Sequence, residues 1–174
     1  ALYVATDLAG QPLYSRALAQ WGLWGLVLFA GAGPARLAGS GIPVWASALA
    51  TSLAVLSLIP TLASAANIVG TIRPRWHAVV STPPGHALIW GTALLVVAGV
   101  QAALLPLSIV ETAVRNTQWV VAAPLTALVG GCTFLLFAGI YHLLPMLRRP
   151  ADRPSTPLYG VRAARWHLVL SSLG

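Results

Sequence analysis

The side chains of this 174-residue chain that could ligate a metal or move a proton are few: His77, His86, His142 and His167, the carboxylates Asp7, Glu111 and Asp152, and the thiol Cys132. Neutral imidazole is the usual ligand of haem iron and of copper or zinc, and it works in clusters. No HxH, HxxxH or HH pair occurs here, so each histidine reads as an interfacial or hydrogen-bonded one. His142, in Gly139-Ile-Tyr-His-Leu-Leu-Pro145, and His167 are retained as the two candidate ligands. Cys132 stands alone in an apolar run, which excludes a disulfide framework, a CxxC metal site and a CxxCH haem attachment. The carboxylates fall outside the apolar runs and are assigned to loops. No proton relay, gating arginine or coupling-ion site therefore lies inside those runs, and with no internal repeat a secondary transporter is disfavoured.

What must position these residues is set by composition. The chain is 57% hydrophobic with a mean hydropathy of +0.80, and its 13 formal charges are ten Arg and three acidic residues, with no Lys. Soluble domains carry roughly a quarter charged residues, so the chain is read as a membrane protein. Its net charge of +7 comes from arginines set singly or in pairs between long uncharged runs, not from a basic patch with interleaved aromatics, so nucleic-acid binding is not expected. A bilayer core of about 30 Å takes about 20 residues of helix. Four runs meet that length, at about 17–33, 44–72, 86–110 and 118–147, and a fifth, 161–174, stops while still helical in pattern. The expected fold is an all-α, polytopic transmembrane bundle in one membrane domain, 1–174, with four complete spans and the start of a fifth. The first residue is Ala and no signal peptide precedes the first run, so the chain is expected to be part of a longer polypeptide.

Arginine is kept from the translocated side of a membrane. Arg16, Arg73, Arg75, Arg148, Arg149, Arg153, Arg162 and Arg165 fall on one side of these spans, Arg36 and Arg115 on the other. The first segment and the Arg-rich loops are thus placed in the cytoplasm, and the chain in a bacterial or archaeal cytoplasmic membrane. Trp21, Trp24, Trp45, Trp76, Trp119 and Trp166 lie near span ends, as an interfacial belt requires. Small residues (Ala46, Ala50, Ala63, Ser64, Gly130, Gly131, Gly139) predict close helix packing, the means of association where lipid removes the hydrophobic drive. Pro60 predicts a kink in the second span, with Ser57 and Thr61 able to cover the freed backbone groups. Pro124 and Pro145 shape the fourth.

Three stretches, in order, resemble the later helices of the catalytic subunit of haem–copper oxidases, most of all the cbb-type cytochrome c oxidases and the related nitric oxide reductases. The first is Asp7-Leu-Ala-Gly-Gln-Pro-Leu-Tyr-Ser-Arg16 leading into a helix near Trp21. The second is Gly41-Ile-Pro-Val-Trp45, then Leu58-Ile-Pro-Thr-Leu62 and Asn67-Ile-Val-Gly-Thr71. The third is Asn116-Thr-Gln-Trp-Val-Val121, Gly130 and Phe134, closing on Gly139-Ile-Tyr-His-Leu-Leu-Pro-Met-Leu147. The resemblance covers nearly the whole chain and implies a subunit I fold, haem b and copper as cofactors, and other integral membrane subunits as partners.

The resemblance also implies where ligands belong, and there this chain departs. The family's Trp-Val-Val-x-His-x-His supplies axial ligands to the high-spin and low-spin haems; this chain reads Trp119-Val-Val-Ala-Ala-Pro-Leu125, with Ala123 and Leu125 at both ligand positions. The His-His copper ligands would fall near Pro34, Ala35 and Arg36. The first span lacks the active-site tyrosine, and Arg115 replaces a histidine two residues before the Thr-x-Trp. Exchanging imidazole for Ala and Leu removes polar groups and adds apolar bulk, which suits a packed bundle without cofactor. The expected function is a degenerate, non-catalytic subunit-I-like component of a respiratory complex, structural or accessory, with no catalytic or metal residues and no cofactor of its own. The alternative is a divergent catalytic oxidase or nitric oxide reductase subunit whose haem b and copper ligands come from elsewhere. Lipid is the remaining expected partner.

Overall fold

A computed structural model describes residues 1–30, 43–114, 116–147 and 160–173. Among them all regular structure is helical. α1 (Leu2–Ala9) and α2 (Arg16–Ala30) are followed by α3 (Val44–Leu56) and α4 (Leu58–Ile72), which run on through a 3₁₀ turn, Arg73–Arg75, into α5 (Trp76–Val80). Then come α6 (Pro83–Leu104), α7 (Ser108–Val114), α8 (Trp119–Leu125), a π-helical turn Thr126–Cys132, α9 (Thr133–Leu147) and α10 (Val161–Leu173).

Three stretches among the described residues are long and apolar enough to cross a membrane: Val44–Val80, Pro83–Leu104 and Trp119–Leu147. They correspond to the second, third and fourth expected spans. The first is described as the 15 residues of α2, its remainder lying outside the described residues, and α10 has 13. Two boundaries shift for local reasons. The third span starts at Pro83, before the expected His86, because Thr82 caps it, its hydroxyl accepting from Gly85 N at 3.3 Å, and two prolines fill positions whose N–H groups would have no partner. It ends at Leu104, short of 110, because Pro106 has no N–H to continue the ladder, although Leu105 before it keeps helical angles.

Two carboxylates assigned to loops are in helices. Asp7 lies in α1, which closes on Gly10 at φ 58° with the Gly10 and Gln11 amides bonding back to Asp7 O and Thr6 O. Glu111 lies in the first turn of α7, where a carboxylate suits the helix dipole. Both helices are too short to show a hydrophobic period in the sequence.

The second span breaks at Ser57, three residues before Pro60, which cannot donate to the preceding turn. Ser57 Oγ donates to Ala54 O at 2.6 Å and Thr61 Oγ1 to Ser57 O at 2.9 Å. Packing follows the small residues. At Gly91 of α6 an added Cβ would stand 2.9 Å from Leu135 N and 3.0 Å from Gly131 O, so α6 meets the π turn and α9 backbone to backbone. A Cβ at Gly25 would stand 2.7 Å from Pro60 Cβ, fixing α2 on the kink of α4. α6 is the central helix, a third of its most apolar window being buried against 17% for each of the other two spans.

The buried cluster is at one end of the bundle. Val4, Ala5, Ile68, Ile72, Val79, Leu88, Phe134, Ala138 and Leu168 bring α1, α4, α5, α6, α9 and α10 together. The outer faces of α2 and α3 carry exposed apolar side chains, among them Trp24, Leu28, Val44 and Leu49. In lipid those faces lose nothing by remaining uncovered.

Candidate functional site

Two motifs far apart in the sequence meet at the buried end. Asn67 is fully buried on α4; its Nδ2 donates to Ser15 O at 2.9 Å and its Oδ1 accepts from Ser15 N at 3.0 Å. One turn on, Thr71 Oγ1 accepts from Tyr14 N at 3.1 Å and donates to Asn67 O at 2.7 Å. Between them Gly70 leaves room for the Tyr14 ring, which a Cβ would approach to 2.7 Å. Asn-x-x-Gly-Thr is thus a clamp on the backbone of Pro-Leu-Tyr-Ser. The segment joining α1 to α2 has no ladder of its own, and inside a membrane an unpaired peptide group is costly, so α4 supplies the partners. Both motifs were legible in the sequence, whereas their pairing across more than fifty residues was not.

His142 on α9 is buried against α1. Its Nε2 lies 2.7 Å from Asp7 Oδ2 of α1, off the line along which a ring N–H would point, so the contact is close without being a straight hydrogen bond. The Tyr3 ring stands edge-on at 6.4 Å. His167 on α10 shares a 2.8 Å hydrogen bond between Nδ1 and the Tyr141 hydroxyl and packs edge-on against Phe137 at 4.7 Å. The two candidate ligands therefore sit in separate contacts on α9, each tying a flanking helix to it. His86 Nε2 accepts from Trp90 Nε1 at 2.8 Å, and His77 is exposed.

Of the two residues that the resemblance sets against the family's haem ligands, Ala123 is 5% exposed and Leu125 51% exposed. Residues two apart on a helix project about 200° from one another, so one position looks into the bundle and the other out of it. Neither side chain has a lone pair to give. Leu125 does not fill the bundle interior, and Ala123, which faces it, brings only a methyl group. Positions 34–36 and Arg115 lie outside the described residues. Among the described residues no three His, Cys, Asp or Glu side chains converge. The described donors do not fit a haem–copper centre, since His142 and His167 are turned to different partners and the residues that the resemblance sets against the ligands are hydrocarbon.

The described arginines gather at the clamped end. Arg16 follows the held Ser15, Arg73 and Arg75 end α4, and Arg165 Nη2 donates to Ser81 O at 3.0 Å. The Trp residues assigned to an interfacial belt are all exposed, from 37% at Trp76 to 73% at Trp21.

The sequence as a whole, residues 1–174, matches the family described as cytochrome c and quinol oxidase polypeptide I. This chain belongs to that family. The match bears out the resemblance to subunit I of haem–copper oxidases. Among its relatives, the cytochrome c oxidase subunit 1 homolog of Azorhizobium caulinodans is 24% identical over 99% of this chain and 30% of its own length, and that of Agrobacterium tumefaciens is 24% identical over 99% and 31%. The cbb3-type cytochrome c oxidase subunit CcoN1 of Stutzerimonas stutzeri is 24% identical over 82% of this chain and 30% of its own length. The chain thus spans about a third of the length of the relatives it matches. As a subunit-I-like polypeptide with three apolar helices of membrane-crossing length, it is a membrane protein.

Proposed function

We propose that this chain is a structural or accessory, non-catalytic subunit-I-like element of a respiratory oxidase-type complex, holding no haem or copper of its own. The observation that carries this reading is the pair Ala123 and Leu125. They stand on two sides of α8, the resemblance sets them against the family's two haem ligands, and neither can coordinate iron. The role left to the bundle is to present helix surface to other integral membrane subunits and to lipid, for which the exposed faces of α2 and α3 are suited. In this reading α2 and α10 complete a first and a fifth crossing, the chain lies in a bacterial or archaeal cytoplasmic membrane, and the Arg-rich end faces the cytoplasm, as the exclusion of arginine from the translocated side requires.

The competing reading is a divergent catalytic subunit that takes its haem and copper ligands from elsewhere, and the oxidase names of the relatives favour it. Absorption spectra of the purified polypeptide separate the two. No Soret or low-spin haem band is expected. A haem band that disappears in His142→Ala or His167→Ala would overturn the non-catalytic reading.

A further inference from the structure

Where α4 leaves the apolar part of its span, Arg73, Pro74, Arg75, Trp76, His77 and Ala78 line an open depression of about 530 Å³. All six are exposed. The stretch Val44–Val80, though broken at Ser57, has 37 residues, well beyond the about 20 that a hydrocarbon core of about 30 Å takes. Its last turns therefore stand in the headgroup layer. Exposed Trp76 marks that level, since indole prefers the boundary between tails and headgroups.

Among the described residues no carboxylate pairs with the two guanidiniums. The whole chain has three carboxylates: Asp7 is against His142, Glu111 is on α7 beyond the far end of α6, and Asp152 lies outside the described residues. Arg165 is turned to Ser81 O, and Arg75 Nη1 lies beside Gly10, where an added Cβ would stand 3.2 Å from it, so cationic charge gathers around the depression with no carboxylate partner among the described residues. Guanidinium forks match phosphate oxygens in pairs, and indole and imidazole N–H groups supply further donors. We propose that this depression binds the phosphate of an anionic phospholipid, its tails lying along the apolar face of α4 below Trp76. The inference rests on the chain spanning a membrane and not on its lacking haem, so it stands or falls apart from the proposed function.

The test uses the complete polypeptide, delipidated in detergent and then equilibrated with vesicles of phosphatidylcholine alone or mixed equally with phosphatidylglycerol, and reads retained lipid by native mass spectrometry. One phosphatidylglycerol is expected to be held in preference to phosphatidylcholine. The R73Q/R75Q double variant, whose exposed side chains leave helical circular dichroism and melting unchanged, should lose about thirtyfold in that preference. R73K/R75K should recover part of it, because charge is kept and only the fork is lost. Millimolar inorganic phosphate added without lipid is expected to bind weakly; if it displaces the lipid fully, free phosphate is the occupant and the lipid assignment falls. Equal retention of the two lipids by the wild type, or unchanged selectivity in R73Q/R75Q, overturns the site altogether.

Discussion

Asn67 shows most plainly how a single side chain holds this structure. Its amide meets both the N–H and the C=O of Ser15, and hydrophobic burial cannot replace those bonds where lipid is the competing solvent. Asn67→Ala leaves both backbone groups short of partners and should cost about 3 kcal/mol, measured as unfolding of the detergent-solubilised protein. Thr71→Val removes one acceptor for Tyr14 N and should cost about half as much. The His142–Asp7 contact is different in kind, because Asp7 is 41% exposed and water screens the pair. Asp7→Asn should cost no more than about 1 kcal/mol, and its effect should be local, seen as faster proteolysis near Gly10 as α1 loosens from α9.

At the scale of elements, glycine spacing decides how near the helices come. Gly91→Ala on α6 drives a methyl against the backbone of Leu135 and Gly131, which cannot rotate away, and should destabilise by about 1–3 kcal/mol. Gly139→Ala on α9 is the matched control: nothing lies within 4 Å of its Cβ, so the substitution should be neutral or stabilise by up to about 1 kcal/mol through helix propensity. Thermal melts of the two variants side by side check the pair. The sequence pointed to Gly139 and not to Gly91 as a close-packing glycine, the reverse of what the structure shows, because which one faces a neighbour depends on the rotation of α6 against α9. The π turn at Thr126–Cys132 was equally hidden. It follows Pro124, and Thr133 Oγ1 donates to Leu128 five residues back at 3.1 Å, a pairing no apolar period predicts.

Over the whole molecule the charge distribution and the packing agree. The end that holds the buried cluster and the Asn67 clamp is also the end that collects Arg16, Arg73, Arg75 and Arg165. The cytoplasmic assignment of that end predicts that a cysteine at Ser81 is labelled by an impermeant thiol reagent only when the cytoplasmic face is accessible. A cysteine at Ile109, 84% exposed beyond the other end of α6, should be labelled only from the opposite face. The reverse pattern would invert the topology.

From the sequence alone came the membrane class, the positions of three long apolar helices, the side on which arginines collect and the subunit I family, because apolar length, charge exclusion and ordered motifs are properties of the chain read in one dimension. The tertiary structure decided what those residues do to one another. It put Asp7 beside His142 and His167 beside Tyr141, joined Asn67 and Thr71 to Tyr14 and Ser15, and sent Ala123 inward and Leu125 outward. Such contacts depend on how helices are rotated and seated against each other, and where lipid makes every apolar face acceptable, only close backbone approach and buried polar pairs fix that rotation.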